Sequence, residues 1–144
     1  MAIEDTISKS INILKADEGL RLRMYKCPAG FNTIGFGHNL DTNPISELAA
    51  LHILRDDIFS SILDLETIFK GKFLTFPEYQ QVALVNMHIQ MGPGGFRGFK
   101  NMVRAKKDGR NNDAVAAMKD SEWYKIYNTR AKKVIKIFKG DFPI

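Results

Sequence analysis

The sequence contains a single cysteine, Cys27, among its 144 residues. One cysteine cannot form an internal disulfide, which excludes the disulfide-stabilised class of small secreted proteins. No apolar run approaches the roughly 20 residues that a membrane-spanning helix needs. The first residues, from Met1 to Thr6, have neither a basic nor an apolar stretch and do not read as a secretory signal. We therefore expect a protein made in the cytoplasm that needs help to leave it.

Length and composition are those of one soluble globular domain with a sizeable core. Hydrophobic residues make up 44% of the chain and charged residues 26%, with a formal net charge of +5. A positive charge favours polyanionic partners such as nucleic acid, anionic lipid or bacterial cell wall, but it does not indicate which of them is bound. Since the basic residues are not interleaved with a series of aromatic ones and no nucleic-acid motif occurs, we expect no nucleic-acid partner.

Hydrophobic periodicity predicts a mainly helical chain. Asp5 or Thr6 is expected to cap the first helix, and Ser46 begins a long helix that reaches Leu65. The segment Thr75 to Glu78 fits a capping box that opens a strongly apolar helix ending at the segment Gly92–Gly95. Three shorter helices are expected after it, over residues 99–107, 112–119 and 129–139.

The stretch from Glu18 to His38 holds several residues that can carry chemistry. Glu18 falls at the end of the first helix, where the negative end of the helix dipole raises the cost of ionising a carboxyl group. A solvated helix end is the other interpretation. The turn at Cys27–Gly30 precedes a predicted strand over residues 31–38, whose glycines mark a bulge or a close approach. Together these elements predict an α+β fold.

The order Glu18, eight residues, Cys27, five residues, Thr33 resembles the active-site motif of the bacteriophage-type lysozymes. These are the muramidases of glycoside hydrolase family twenty-four, in which the pattern is Glu, eight residues, Asp or Cys, five residues, Thr. Further segments match that family in the right order along the chain, at residues 17–20, 33–38, 86–92, 121–124 and 130–132.

The resemblance implies a lysozyme-like fold and a phage or prophage endolysin. A single catalytic domain would cover residues 1–144, with a small β-hairpin lobe over about 15–60. The larger helical lobe would be formed by residues 1–14 and 61–144, and a long helix would join the two. Such a protein is expected to be a monomer that enters no membrane, and to reach the cell wall through a holin. It would hydrolyse the β-1,4 bond between N-acetylmuramic acid and N-acetylglucosamine in bacterial peptidoglycan.

The resemblance also assigns roles to the three motif residues. Glu18 would be the general acid, held protonated by partial burial. Cys27 and Thr33 would lie on the opposite face of the sugar and position or activate water. A thiol carries little charge near neutral pH unless its pKa is lowered. Cys27 can therefore be a base for water, a nucleophile in a retaining enzyme or a partial spectator. The alternative without a catalytic role is that Cys27 is simply a small buried hydrophobic residue. The stereochemical course stays open.

Four other residues are predicted to support the site. His38 ends the glycine-rich strand and is interpreted as a hydrogen-bonded structural histidine rather than a base. Asn86 and Gln90 share one face of an apolar helix, so their amides need sugar groups or loop carbonyls as partners. Arg130 is placed near Glu18 by its motif. Neither a cofactor nor a metal site is predicted, because the histidines lack ligands at metal-binding spacing.

Two other functions remain compatible with the sequence. A lytic transglycosylase also needs one catalytic glutamate but uses a hydroxyl of the sugar itself in place of water. A non-catalytic module that binds cell wall on the same fold is the second alternative, and the cysteine at position 27 makes an inactive lysozyme conceivable. Products released from peptidoglycan distinguish these functions.

Overall fold

In the computed structural model, which describes residues 1–144, the chain forms two compact units, residues 1–51 and residues 52–144. The helix α2 (Glu47–Ile68) begins in the first unit and continues into the second. Before it, the first unit contains one long helix and a small sheet: α1 (Ala2–Glu18), β1 (Arg21–Lys26), β2 (Asn32–Gly35) and β3 (His38–Asn39). The α+β class predicted from the sequence is confirmed. The assignment of residues 1–14 to the helical lobe stays a prediction.

Helix α1 begins earlier than predicted. Its first residue is Ala2, so the expectation that Asp5 or Thr6 caps it is wrong. Thr6 lies inside the helix, where its hydroxyl donates to the carbonyl of Ala2 at 3.0 Å. An acid in the first turn, such as Asp5, still interacts favourably with the positive end of the helix dipole. The helix ends at Gly19, whose N–H donates to the Lys15 carbonyl at 3.2 Å.

The sheet is antiparallel with the strand order β1-β2-β3. Tyr25 pairs with Thr33 across the first hairpin, and Ile34 pairs with His38 across the second. The single strand predicted over residues 31–38 is therefore wrong, because a tight turn divides it into β2 and β3. Gly35 and Gly37, with φ of 69° and 77°, provide the backbone conformation that this turn requires.

The second unit is entirely helical and holds the hydrophobic core. Its largest fully buried side chains come from several helices and include Phe69, Phe73, Phe96 and Phe138. None of the helices has both the length and the apolar content needed to cross a membrane. The elements are α2 (Glu47–Ile68), a 3-10 helix (Phe73–Thr75), α3 (Glu78–Arg97), α4 (Lys100–Lys107), α5 (Asn111–Lys119), α6 (Glu122–Ile126) and α7 (Asn128–Phe138).

The predicted cap of α2 is confirmed, whereas the predicted cap of α3 is wrong. Ser46 does cap α2, since its hydroxyl accepts the N–H of Ala49 at 3.1 Å. The capping box at the start of α3 is wrong, because Pro77 precedes that helix and no side chain caps it. Thr75 instead closes the 3-10 helix, donating its hydroxyl to the Lys72 carbonyl at 2.6 Å.

Helix α3 is kinked at Gly92, where φ is 75° and ψ is 166°. The helix was predicted to end within residues 92–95, and its first arm does end at Gly92. A second arm, which the sequence did not reveal, resumes at Pro93 and continues to Arg97. Proline suits the first turn of a helical segment because its missing N–H would have no intrahelical acceptor there.

A chain of polar side chains joins α2 to both arms of α3, and we call it the Asp64 network. His88 lies before the kink and donates Nε2–H to Asp64 Oδ2 at 2.6 Å, while its Nδ1 lies 2.8 Å from the hydroxyl of Ser61. Arg97 lies after the kink and donates Nη1–H to Asp64 Oδ2 at 2.7 Å and Nη2–H to Oδ1. One carboxylate therefore holds both arms of the bent helix.

Helix α4 contributes one unusual side chain to the interior. Lys106 is only 5% exposed, and its Nζ lies 4.0 Å from the centre of the Phe76 ring. The same ammonium donates to Oδ1 of Asn111 at 3.0 Å. Burial lowers the pKa of Lys106. Ring faces and one amide oxygen replace most of the water that would otherwise surround this cation.

Candidate active site

Glu18 is the last residue of α1, so its side chain leaves the helix just before β1 begins. It is exposed, in contrast to the partial burial that we expected from the sequence. Its carboxyl group instead lies directly against the backbone of Gly37. A Cβ atom at Gly37 would come within 2.6 Å of Glu18 Oε2 and 2.9 Å of its Cδ. The turn between β2 and β3 thus leaves space for this carboxylate only because residue 37 has no side chain.

Cys27 follows β1 and opens the turn between β1 and β2. Its N–H donates to the Phe31 carbonyl at 2.9 Å, and its carbonyl accepts from Gly30 N–H at 2.8 Å, which closes the turn. The side chain is half-buried. A backbone hydrogen bond from Phe31 is the largest cause that lowers the pKa of the Cys27 thiol, and hydrogen bonds from Ala29 and Gly30 act in the same direction. The turn therefore favours the thiolate.

Thr33 lies on β2 and is almost completely buried, with 4% exposure. Its hydroxyl donates to the Phe31 carbonyl at 2.9 Å. The same hydroxyl also contributes to the lowered pKa of Cys27. Because a threonine hydroxyl has a single hydrogen, it cannot serve both acceptors at once. The geometry assigns this hydrogen to Phe31, so Thr33 is a minor cause of the shift, but its position beside Cys27 is clear.

His38 is the first residue of β3 and pairs with Ile34 of β2. Its Nε2 lies 3.0 Å from the carbonyl of Asn43, and since a carbonyl can only accept, this nitrogen carries the hydrogen. The ring therefore holds the loop that follows β3. This bond agrees with the interpretation of His38 as a hydrogen-bonded structural residue.

The remaining predicted residues lie together in the second unit. Asn86 and Gln90 are half-buried on the first arm of α3. Asn86 Oδ1 accepts a hydrogen bond from Nε of Arg130 at 3.0 Å, and Gln90 Oε1 accepts one from the indole N–H of Trp123 at 2.9 Å. Neither hydrogen bond involves a loop carbonyl, one of the two kinds of partner that the sequence left open. The amide oxygens of Asn86 and Gln90 are thus bonded to side chains on α7 and α6, and the amide N–H groups remain for other acceptors.

The sequence and these two groups of residues identify the family. The phage lysozyme family matches residues 15–137, which is most of the chain and includes every candidate residue. The chain belongs to the phage lysozyme family.

Curated proteins related to this family member include virion, endolysin and cellular lysozyme sequences. The pre-baseplate central spike protein Gp5 of Enterobacteria phage T4 is 30% identical over 87% of the chain, which spans only 26% of that protein's length. An endolysin of Acyrthosiphon pisum secondary endosymbiont phage 1 is 30% identical over 81% of the chain and 78% of its own length. A probable T4-type lysozyme 2 of Dictyostelium discoideum is 26% identical over 92% of the chain and 94% of its own length.

Several features of the candidate site were not predicted. The contact between Gly37 and Glu18 could have been suspected from the paired glycines, which indicated a close approach without naming its partner. Asp41 is a second example: it accepts the Asn32 N–H at 2.7 Å and the Asn32 side-chain amide at 3.0 Å. These bonds lower the pKa of Asp41 and fix the β2–β3 hairpin. No sequence pattern marks that pair.

Trp123 is a packing residue in the interior of the second unit. It is 5% exposed and packs edge-on against Phe99, with ring centres 6.5 Å apart and an interplanar angle of 86°. Arg130 is exposed near the start of α7. Its expected position near Glu18 stays a prediction.

Proposed function

We propose that this protein is a peptidoglycan hydrolase, an N-acetylmuramidase that cleaves the β-1,4 bond between N-acetylmuramic acid and N-acetylglucosamine. Membership of the phage lysozyme family and the endolysin names of its relatives support hydrolysis of peptidoglycan. The observation that carries the proposal is the placement of Glu18, Cys27 and Thr33 within one compact unit. The helix end and the first hairpin supply an acid, a thiol and a hydroxyl from one short stretch of chain.

Glu18 is the proposed general acid. Cleavage of a glycosidic bond needs a proton for the departing sugar oxygen, and a carboxylic acid is the usual donor in glycosidases. Its position beside the β2–β3 turn supports this role, because the missing side chain of Gly37 leaves room there for the carboxyl group.

Cys27 and Thr33 are proposed to act on water at the opposite face of the sugar. The lowered pKa of Cys27 supports a thiolate that accepts a proton from the attacking water. Since the Thr33 hydrogen is donated to Phe31, its oxygen lone pairs are free to accept from that same water. The water oxygen then bonds to the anomeric carbon, its proton moves to the thiolate, and Glu18 protonates the leaving oxygen.

A thiolate is also a nucleophile, and this alternative predicts a different product. Attack by Cys27 would form a thioglycoside intermediate and retain the anomeric configuration, whereas direct attack by water inverts it. The configuration of the new reducing end, measured by NMR immediately after cleavage, distinguishes the two courses. A covalent sugar adduct on Cys27 in the mass spectrum of the intact protein would support the nucleophilic course.

Asn86, Gln90, Arg130 and His38 are proposed to support substrate or the site. The oxygens of both amides are already bonded to Arg130 and Trp123, so their N–H groups are the atoms left to bind substrate. Acetamido carbonyls and sugar hydroxyls are suitable acceptors for them. The Arg130 guanidinium retains donors on its two terminal nitrogens for an anionic group near the reaction.

The biological setting is proposed on the same basis. An endolysin acts on the wall of the host at the end of infection, and we propose release from the host cytoplasm through a holin. One relative is named a pre-baseplate central spike protein, and the chain covers only 26% of it, so a role as one part of a larger phage protein is the alternative setting. We propose that the enzyme acts as a monomer.

Mass spectrometry of soluble fragments from purified peptidoglycan tests the proposal. Ordinary reducing-end muramic acid from the wild type, absent with Glu18→Gln, is the expected result. Anhydro-muramic ends would instead identify a lytic transglycosylase. This is the specific alternative because the motif contains only one carboxylate, Glu18, and a lytic transglycosylase needs only one. Binding to walls without any fragments would favour a non-catalytic module.

A further inference from the structure

A cavity on the second unit is surrounded by basic side chains, and we call it the α4 cavity. It is a depression that is open to solvent, with a volume of about 390 Å³. No carboxylate lines it. The lining residues are two apolar and four basic ones, namely Ile68, Val103, Arg97, Lys100, Arg104 and Lys107.

Three of the four cations form a row along α4. Lys100, Arg104 and Lys107 are spaced four and three residues apart, so they lie on one face of the helix. At a rise of 1.5 Å per residue, the row is about 10.5 Å long. None of the three takes part in an ion pair, unlike Arg97. Their charges are therefore available to a ligand.

The fourth cation, Arg97, is held in place by the Asp64 network. Its guanidinium uses two N–H groups on Asp64 and a third on the Pro93 carbonyl at 3.4 Å. Of the five donors that a guanidinium carries, two remain for the cavity. Asp64 is itself fixed by His88, which is buried. A side chain with this support is preorganised, and binding a ligand costs it little conformational entropy.

The balance of charge points to a ligand with several negative charges. Four cations surround the cavity, and Asp64 is the only carboxylate paired with any of them, which leaves an excess of three positive charges. Arginine forks and lysine ammonium groups together are the side chains that bind phosphate. A row about 10.5 Å long also offers more than one position for a phosphate group.

The composition of the cavity argues against two common polyanions. Single-stranded nucleic acid binds through aromatic side chains on which bases stack, and no aromatic residue lines the cavity. Anionic membranes bind helices whose apolar face enters the lipid. On α4 the apolar residues Met102 and Ala105 are instead buried in the core. A flexible chain of phosphates without bases or acyl groups fits better.

We propose that the α4 cavity binds phosphate groups of a flexible, non-aromatic phosphodiester polymer of the bacterial envelope. The choice of the envelope as the source of this polymer rests on the proposed hydrolysis of peptidoglycan. The binding itself does not, because the cavity lies wholly within the second unit and contains none of the proposed catalytic residues. The site would hold the enzyme on the wall between cleavage events.

Isothermal titration with tripolyphosphate tests the binding without any cell wall. The double variant Lys100→Gln/Lys107→Gln is compared with Lys132→Gln/Lys136→Gln, which removes two charges from a second basic cavity beside α7. We expect the first to weaken binding at least about tenfold and the second less than about twofold, because only the first loses direct contacts. Equal losses in the two variants would mean general attraction to a basic protein and would overturn the proposal.

Two single variants test whether Arg97 is part of a built site. Arg97→Lys keeps the charge but loses the fork, so we expect weaker binding of tripolyphosphate. Asp64→Asn removes a negative charge, and simple electrostatics then predicts tighter binding. The preorganised site predicts weaker binding instead, because Arg97 loses its strongest acceptor. Tighter binding by folded Asp64→Asn protein, checked by circular dichroism, would contradict the proposal.

Other probes test the chemical class of the ligand and the source from which it comes. Citrate, oligothymidylate and phosphatidylglycerol vesicles should each bind less tightly than tripolyphosphate and without sensitivity to Lys100→Gln/Lys107→Gln. Preference for any of them, lost in that variant, would reassign the cavity and overturn the proposal.

Wild-type protein should sediment with purified walls less well after chemical removal of their phosphodiester polymers. A protein that binds tripolyphosphate but cleaves no peptidoglycan would disprove only the proposed hydrolysis.

Discussion

The carboxyl group of Glu18 lies against the Cα atom of Gly37, so closely that a methyl group at position 37 would lie 2.6 Å from Glu18 Oε2. The end of α1 and the turn between β2 and β3 thus meet at this contact. Gly37 also has a φ of 77°, which favours glycine for a second and independent reason. The close approach of the carboxyl group and the positive φ therefore both favour glycine at position 37.

Replacing Gly37 with alanine should reduce activity far more than stability. The new methyl group must displace the Glu18 carboxyl group, and misplacing a reacting group by about 1 Å can cost roughly 100-fold in rate. Gly35→Ala is the matched control, because Gly35 has a φ of 69° but nothing within 4 Å of an added Cβ. Both variants should lose about 1–2 kcal/mol of stability from backbone strain. Similar rates of peptidoglycan cleavage in the two would show that the contact does not matter.

The thiol of Cys27 should react with an alkylating reagent at lower pH than an ordinary cysteine. Its pKa is lowered chiefly by the backbone hydrogen bond from Phe31, and the thiolate is the reactive form. The stabilising effect of this thiolate is complete above the pKa of the unfolded thiol and is lost as pH falls through the lowered folded value. The measurement is the rate of alkylation against pH for folded protein and for protein in urea. Coincident profiles would refute the expected shift.

Substitutions at Cys27 should separate its proposed roles. Cys27→Asp keeps an anionic acceptor for a water proton and should retain activity, whereas Cys27→Ala should lose most of it, roughly 100-fold or more by the usual contribution of a general base. Cleavage rates on purified peptidoglycan measure both. Full activity in Cys27→Ala would make the thiol a spectator and leave the chemistry to Glu18 and Thr33.

Asp64→Asn should change how the stability of the protein depends on acid pH. The Arg97 hydrogen bonds, and then the one from His88, hold the pKa of Asp64 below its ordinary value. A lowered carboxyl pKa stabilises the fold above the unfolded value of about 4, and this contribution is lost as pH falls through the lowered folded value. Wild-type stability measured by urea unfolding should therefore fall more steeply below about pH 4 than that of the variant. Asp56→Asn, at an exposed site on the same helix, is the control and should follow the wild type.

The bond between Gln90 and Trp123 should contribute measurably to stability. Gln90→Leu leaves the indole N–H without an acceptor in a site that is 5% exposed, which should cost about 1–3 kcal/mol. Trp123→Phe removes the donor, so Gln90→Leu should cost less in that background. A double-mutant cycle on the free energy of unfolding measures the difference. Additive costs would show that this bond contributes nothing net.

Local chemistry explains which parts of the fold were predictable. The long helices follow hydrophobic periodicity, and Ser46 caps α2 because a serine side chain before a helix can accept a free N–H. The Thr75 capping box failed because Thr75 is the last residue of the 3-10 helix, and Pro77 rather than Thr75 precedes α3. Hydrogen-bond partners within reach, rather than the residue type alone, decide such cases.

The site was predictable only as far as the motif extends. Glu18, Cys27 and Thr33 could be named because their spacing resembles a known family. Contacts between residues distant in sequence could not, and the Asp64 network is the clearest example: Asp64 and Arg97 are 33 residues apart. The kink at Gly92 brings Arg97 to Asp64, and no periodicity predicts where the second arm of a broken helix will point.

The buried ammonium of Lys106 has a consequence for the behaviour of the protein on heating. At room temperature, removing this group from water is unfavourable, and one amide oxygen with the face of Phe76 compensates only in part. Hydration of a charged group becomes less favourable as temperature rises, so the disadvantage of holding Lys106 inside shrinks in warm solution. The region where α4 meets α5 should therefore lose less of its relative stability on warming than a purely apolar contact of the same size.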